Sequence, residues 1–342
     1  MVHGSKPDAR TSARPFAGGP VVARTAGRLA LMAVANGIPV LCAQTRLLVV
    51  APHPDDETLA AGLLIQQVLA AGGEVSVLLL TPGDNNPWPQ RWIERRIRIR
   101  PEDKRRWGQR RMAELGQAMR RLGLPPQALH AMGWPDMGLS DLLLRSGDQA
   151  VDALATVIGQ LAPTLIAIPA LGDRHPDHGA AHVLMRLALA RLDQPISTLA
   201  YLVHGQIKKI NYPQIAPSPG QQRVKLEALA AHLSQMTLSA ERMRRMAGRP
   251  EAYEPLSTQE VRGDRSLPWS PPLALQPWLR LSVIGPAGAQ SWRWLDAPIR
   301  RARCGALYVE ESMLLGGGPH FAKLAWDLPA LWIFDHWGWC EL

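Results

Sequence analysis

The sequence predicts a three-layer α/β sandwich, a mainly parallel sheet with helices on both faces. Three observations carry this. From Arg46 to about residue 240, short apolar runs alternate with longer amphipathic ones, the pattern of parallel strands joined by helical crossovers. Several of the short runs are almost continuously apolar, as strands buried on both faces require. The most polar clusters follow such runs directly, at the strand ends where these sheets place function.

The elements follow in order. Residues 47–51 (LLVVA) form the first buried strand. Residues 57–71 (ETLAAGLLIQQVLAA) form a helix, because Leu59, Leu63, Leu64 and Val68 recur every third or fourth position. Gly72 and Gly73 stop it, and 74–80 (EVSVLLL) is the second strand. A helix over 102–122, a strand at 129–133, a helix near 149–161, a strand at 164–170, a helix over 177–191, a strand at 198–204 and a helix over 222–238 complete the series. The architecture is thus Rossmann-like over 46–240.

Around this unit the 342-residue chain carries two further regions. Residues 1–45 read as an N-terminal extension, its first 22 a flexible tail of Gly, Pro, Ser and charge. Arg10, Arg14, Arg24 and Arg28 ahead of the apolar run Leu29 to Ala35 give it the outline of a secretory signal, but no small-x-small cleavage site follows. Cys42, Cys304 and Cys340 are odd in number and widely spaced, which suggests neither a disulfide framework nor a thiolate metal site and favours a reducing compartment, the cytoplasm. Residues 241–342 form a C-terminal extension with eight of the twelve tryptophans and candidate strands at 278–284, 292–295 and 306–310. Its pattern specifies no fold. Those tryptophans, at 269, 278, 292, 294, 326, 332, 337 and 339, suit either a carbohydrate surface or a core.

Formal net charge is +9, and residues 91–111 hold ten Lys or Arg against three acids. No helix-turn-helix, zinc-finger or single-strand-binding motif accompanies that charge, so nucleic acid is not the expected partner. Within the basic insert, 85–106, Trp88 and Trp92 interleave with arginines, as does Trp107 just beyond it. Such a segment suits a lid over an anionic conjugate or a peripheral contact with a membrane surface; it equally suits a solvated amphipathic face.

The chemistry concentrates in two loops. Residues 52–57 (PHPDDE) follow the first strand, and 172–178 (GDRHPDH) follow the strand at 164–170. His53 and Asp56, three apart, converge if the chain turns into a helix between them; His175 and His178 face them across the sheet edge. Two histidines and one aspartate make a hydrolytic metal site with an open position, leaving Asp55 to activate water and the remaining histidine to assist. Asp55 and Asp56 would also serve as helix caps. Zinc is the default ion, with Fe2+ or another divalent metal admissible. His204 ends a strand on the same edge and is a pocket candidate, whereas His182 and His232 read as packing residues.

PHPDDE followed by a helix, then HPDH about 120 residues on, resembles the PIG-L/LmbE-like family of metal-dependent N-acetylglucosaminyl deacetylases. TPGD (81–84), RRMAELGQAMRRLGL (110–124), GWPDMGL (133–139) and KLEALAAHLSQM (225–236) match further family segments in order, so that the resemblance covers about 46–240. It implies His53, Asp56 and His178 as metal ligands and Asp55 as general base. It further implies His175 as the group that stabilises the oxyanion and protonates the amine, with Asp177 tuning or orienting it. Arg111, Asp136 and, more weakly, Gln235 would line the substrate pocket. The implied activity is zinc-dependent hydrolysis of the N-acetyl group of an amino-sugar or its conjugate. The alternative is amide or ester hydrolysis of a non-sugar or differently acylated substrate.

Overall fold

The computed structural model describes residues 34–35, 37–192, 194–205, 212–256, 265–328 and 334–342. The tail and signal-like outline up to residue 33, and Trp332, lie outside them. Among the described residues no helix is long and apolar enough to cross a membrane.

Seven strands form the main sheet, in the spatial order Leu129–Ala131, Glu74–Leu79, Arg46–Ala51, Leu165–Pro169, Ser197–Tyr201, Glu251–Leu256, Gln214–Ile215. The first five run parallel, with Leu47 opposite both Val75 and Leu165. Chain order reverses direction between Arg46–Ala51 and Leu165–Pro169, so the two polar loops leave the sheet at its topological switch point. The last two strands are antiparallel and carry the sheet past residue 240, to Leu256.

Strand periodicity divides the interior. Leu47, Val49 and Ala51 face one core with helices Asp56–Ala70, Pro101–Arg121 and Pro219–Leu229. Leu48 and Val50 face the other, with helices Leu139–Leu161 and Pro176–Ala190.

Three helical expectations are corrected. The helix expected near 149–161 begins at Leu139 and is bent at Ser146, where the Ser-Gly-Asp sequence resembles a loop. The single helix expected over 222–238 is two, Pro219–Leu229 and Leu233–Ala247, because the Ser234 N–H and hydroxyl turn to the buried Glu114 carboxylate. The basic insert contains a short helix, Pro87–Glu94, on which Trp88 and Trp92 are exposed, whereas Trp107 is fully buried.

One turn of helix Asp56–Ala70 is built unusually. In an uninterrupted helix the Leu63 and Leu64 N–H groups pair with the Leu59 and Ala60 carbonyls. Here both N–H groups donate to the Glu251 carboxylate (2.8 and 3.0 Å), and the Leu59 carbonyl accepts from Lys225 Nζ (3.0 Å). The Tyr253 hydroxyl lies between the Ala60 carbonyl and Glu251 Oε2 (2.8 and 2.9 Å), and Lys225 pairs with Glu251 at 2.5 Å. All three side chains are buried.

The C-terminal extension resolves into antiparallel sheets. Gly288–Arg293, Leu279–Gly285, Phe321–Trp326 and Gly338–Glu341 form one, and Ser266–Leu267, Leu307–Val309 and Ile299–Arg301 the other. Leu279, Leu281 and Val283 close a small core with Trp269 and Trp294, while Ile284, Phe321 and Trp339 pack into the second core of the α/β unit. Trp339 fills a hollow that exists because residue 179 is glycine; a Cβ there would collide with the indole. Arg186 clasps Glu341 with two hydrogen bonds beside it. Of the eight C-terminal tryptophans, Trp269, Trp294 and Trp339 are therefore core residues, and Trp278 and Trp326 are exposed.

Candidate metal centre

The first loop is set by three anchors. The Pro52 carbonyl accepts from the Thr81 N–H and hydroxyl. The Asp56 carboxylate turns back to accept the His53 N–H at 2.9 Å. Asp55 takes φ +122°, a conformation L residues rarely adopt, and its N–H donates to Glu57. This hinge separates neighbouring aspartates: Asp56 is directed at the histidines, whereas the Asp55 carboxylate meets Arg111. Arg111 is itself occupied, donating to the Gly83 and Pro54 carbonyls at 2.7 and 2.6 Å and to Asp55 at 3.4 Å. It was expected to line the sugar pocket; the structure uses it to tie two strand-end loops together beneath Asp55. Gly83, at positive φ, has no room for a Cβ against that guanidinium.

In the second loop His175 caps helix Pro176–Ala190, its Nδ1 accepting the Asp177 N–H at 3.3 Å. Asp177 was expected to tune or orient His175 through its carboxylate. That expectation is corrected: the Asp177 carboxylate accepts from the Met137 and Leu139 N–H groups and meets His53 Nε2 at 3.2 Å. Only its backbone touches the His175 ring, whose basicity is depressed by burial and by the neighbouring His53, His178 and His204.

The two loops meet on Asp56 Oδ2, 3.4 Å from His53 Nδ1 and 3.2 Å from His178 Nε2. Asp136 is brought in as well, with Oδ1 3.2 Å from His53 Nε2 and Oδ2 accepting the Asn85 N–H at 2.6 Å. Among the described residues, ligand atoms within 4.8 Å of one another occur in three overlapping sets: His53, His175, His178; Asp56, His178, His204; and His53, Asp136, Asp177. The Gln235 amide donates to Ser234 Oγ, which is bonded to Glu114.

Sequence reasoning missed Asp173, although it stands two residues before His175. Its Oδ2 accepts the Val203 and His204 N–H groups (2.9 and 3.0 Å) and faces His178 Nδ1 at 3.2 Å; Oδ1 accepts the His175 N–H. One carboxylate thus ties the second loop to residues 203 and 204. It also missed the buried Glu57–His232 pair and Phe334, whose ring centroid lies 5.6 Å from His204 and 6.4 Å from His175. Nothing in the local sequence announces Phe334, which arrives from the C-terminal extension.

The electrostatics suit a cation. Burial disfavours charge on these rings, yet Asp56 and Asp173 raise the His178 pKa to about 10, and Asp136, Asp177 and Asp56 raise that of His53. In turn Asp136 and Asp173 are held below the usual carboxylate range against the opposing effect of burial, Asp136 by His53 and Arg111 and Asp173 by His178 and His204. Both His178 nitrogens lie 3.2 Å from carboxylate oxygens, but neither has hydrogen-bond geometry. Buried nitrogen and oxygen donors with excess negative charge and unsatisfied ring nitrogens fit a divalent ion. With an ion bound, Asp173→Ala is expected to weaken its affinity about 10–100-fold, the usual cost of removing a carboxylate that orients a ligating histidine. Competition against a chromophoric chelator measures this.

Comparison with known proteins agrees with the site. Residues 48–189 match the PIG-L family model, GlcNAc-PI de-N-acetylase. The 1D-myo-inositol 2-acetamido-2-deoxy-alpha-D-glucopyranoside deacetylase of Mycolicibacterium smegmatis is 34% identical over 163 residues, 44% of this chain and 55% of that one. Its counterpart in Mycobacteroides abscessus is 27% identical over 238 residues, 57% and 82% of the two chains. The chain thus spans little more than half of the first relative. N,N'-diacetylchitobiose deacetylase from Pyrococcus horikoshii shares the fold, with TM-score 0.50, 17% identity and coverage of 62% and 84%.

Proposed function

Because residues 48–189 belong to the PIG-L/LmbE-like family, we propose that this chain is a metal-dependent deacetylase that hydrolyses the N-acetyl group of an amino-sugar or its conjugate. The observation that carries the reading is the meeting of His53 and His178 on the Asp56 carboxylate, with Asp55 turned out of that contact by its left-handed backbone. The names of the mycobacterial relatives support an acetamido sugar as the substrate class.

His53, Asp56 and His178 would hold the ion. Zinc is the proposed metal from the donor set, with Fe2+ admissible. When bound, such an ion supplies a Lewis acid for the acyl oxygen and lowers the pKa of water in the site. The remaining steps belong to the chain. Asp55, its pKa raised by burial to about 6 despite Arg111, is ionised at neutral pH and accepts a proton from water. The water oxygen forms the new C–O bond, the C–N bond breaks, and Asp55 returns its proton to the departing nitrogen. His175 is held neutral with Nε2–H available, so its part is to donate a hydrogen bond to the acyl oxygen; a nearby cation lowers its basicity further.

The test is acetate release from N-acetylglucosamine and its inositol conjugate. Release is expected to stop on chelation and to return with added Zn2+ or, anaerobically, Fe2+. Metal-loaded protein that hydrolyses acyl esters but releases no acetate from any N-acetylated amino-sugar would favour the alternative hydrolase. The exposed Trp88 and Trp92 beside Arg91 and Arg95 support an anionic aglycone or a lipid surface as an additional recognition element. KM for an anionic conjugate should then rise with added salt while KM for a neutral sugar stays constant.

A further inference from the structure

We infer that Arg242 fixes His204 as the Nε2–H tautomer, making it a hydrogen-bond donor to the substrate acyl oxygen and barring it from the metal. By distance alone His204 is a ligand candidate. One of its ring nitrogens lies within 4.8 Å of ligand atoms of Asp56 and His178, and its ring centroid is 5.1 Å from that of His178. Its backbone is pinned by Asp173, the carboxylate that also faces His178 Nδ1.

What each ring's other nitrogen faces decides between ligand and donor. His204 Nδ1 lies 3.2 Å from Arg242 Nη2. A guanidinium has only N–H groups to offer and keeps its proton, so Nδ1 must present its lone pair and the ring proton sits on Nε2. Ligation through Nε2 would place the proton on Nδ1, pointing two donors at each other. His175 follows the same rule, with the Asp177 N–H entering its Nδ1. His178 and His53 follow the opposite one. His178 Nδ1 faces the Asp173 carboxylate, which leaves Nε2 to bind; His53 Nε2 faces Asp136 and Asp177, which leaves Nδ1. The four histidines therefore divide into two ligands with acceptor partners and two N–H donors with donor partners. Centroids of the two donor rings are 5.4 Å apart, and both supply what an oxygen gaining negative charge requires.

The acyl-oxygen role rests on the proposed amide hydrolysis, whereas the tautomer does not, and the experiments separate them. Long-range 1H–15N correlation spectra of the imidazoles should show His204 as Nε2–H in metal-free and Zn2+-loaded protein alike. A proton on Nδ1, or a metal-induced shift of His204 Nε2 as large as that of a ligand nitrogen, overturns the inference. In Co2+-loaded protein, Arg242→Lys should leave the visible spectrum unchanged. Arg242→Glu, which accepts a proton from Nδ1 at an exposed position, should change that spectrum and tighten Co2+ binding at least about tenfold as Nε2 becomes a ligand; an unchanged spectrum refutes the tautomer control. For turnover, His204→Leu should lower kcat about 10²–10³-fold with little change in KM, and His204→Gln, which keeps a donor near Nε2, should restore part of the loss. Equal kcat in wild type and His204→Leu overturns the donor role. If no N-acetyl substrate is turned over at all, the spectra still decide the tautomer.

Discussion

Asp55→Asn is expected to slow acetyl hydrolysis about 10²–10⁴-fold, the range a positioned general base contributes, while metal content stays at the wild-type level. The Asp55 carboxylate meets Arg111, and the histidines instead gather on Asp56 and its neighbours. Turnover and metal analysis on one preparation check this; loss of metal with turnover would show that the two aspartates exchange roles. The variant should also gain stability in the metal-free state. The Asp55 carboxyl titrates near 6 in the fold against an ordinary 3.8, so the folded protein favours its protonated form. Ionised Asp55 therefore opposes folding, fully above about pH 6 and scarcely below pH 4. The gain from Asn should follow that window. Asp55→Gly should add relief of the backbone strain at φ +122°, worth ~1–3 kcal/mol at such positions, less ~0.5–1 kcal/mol for glycine's greater freedom when unfolded.

Glu251→Ala is expected to cost about 3–5 kcal/mol, the usual penalty for breaking a buried ion pair, and to lower Tm on the order of 10 °C. The change takes the acceptor from the Leu63 and Leu64 N–H groups and leaves the buried Lys225 ammonium with only the Leu59 carbonyl and no counter-charge. Lys225→Met should cost less, because Glu251 keeps two backbone donors and the Tyr253 hydroxyl. Glu251→Gln should lie between, since its amide nitrogen must face one of those donors. Denaturant unfolding of the single variants and the Lys225→Met/Glu251→Gln pair gives the coupling. Equal losses for Glu251→Ala and Lys225→Met would mean that the pair's charge, and not completion of the helix turn, dominates.

The parallel sheet was legible because its strands are buried on both faces, so that LLVVA and TLIAIPA stand out as apolar runs. The strand Glu251–Leu256 was not, because EAYEPL carries two glutamates and a proline; Glu251 is buried only through partners on Lys225 and helix Asp56–Ala70. The two loops could be read because each packs its ionisable groups into a few positions at a strand end. Asp173 lay in plain view within GDRHPDH, but its role depends on backbone from residues 203 and 204. Arg242 and Phe334 reach the centre from segments whose local pattern concerns only their own helix or loop. Asp177 shows the converse: its place beside His175 in sequence says nothing of where its carboxylate goes.

The hollow at Gly179 bears on how such a chain can be rebuilt. The glycine directly follows His178, so the surface that seats Trp339 and the turn that presents a metal-facing imidazole are the same piece of helix. A different C-terminal appendage, grafted by recombination, would have to bring its own plug for that notch or leave the helix start unsupported. Appendage and chemistry are thus not interchangeable modules here, and chimeras should be joined so that residue 179 and its indole come from one parent.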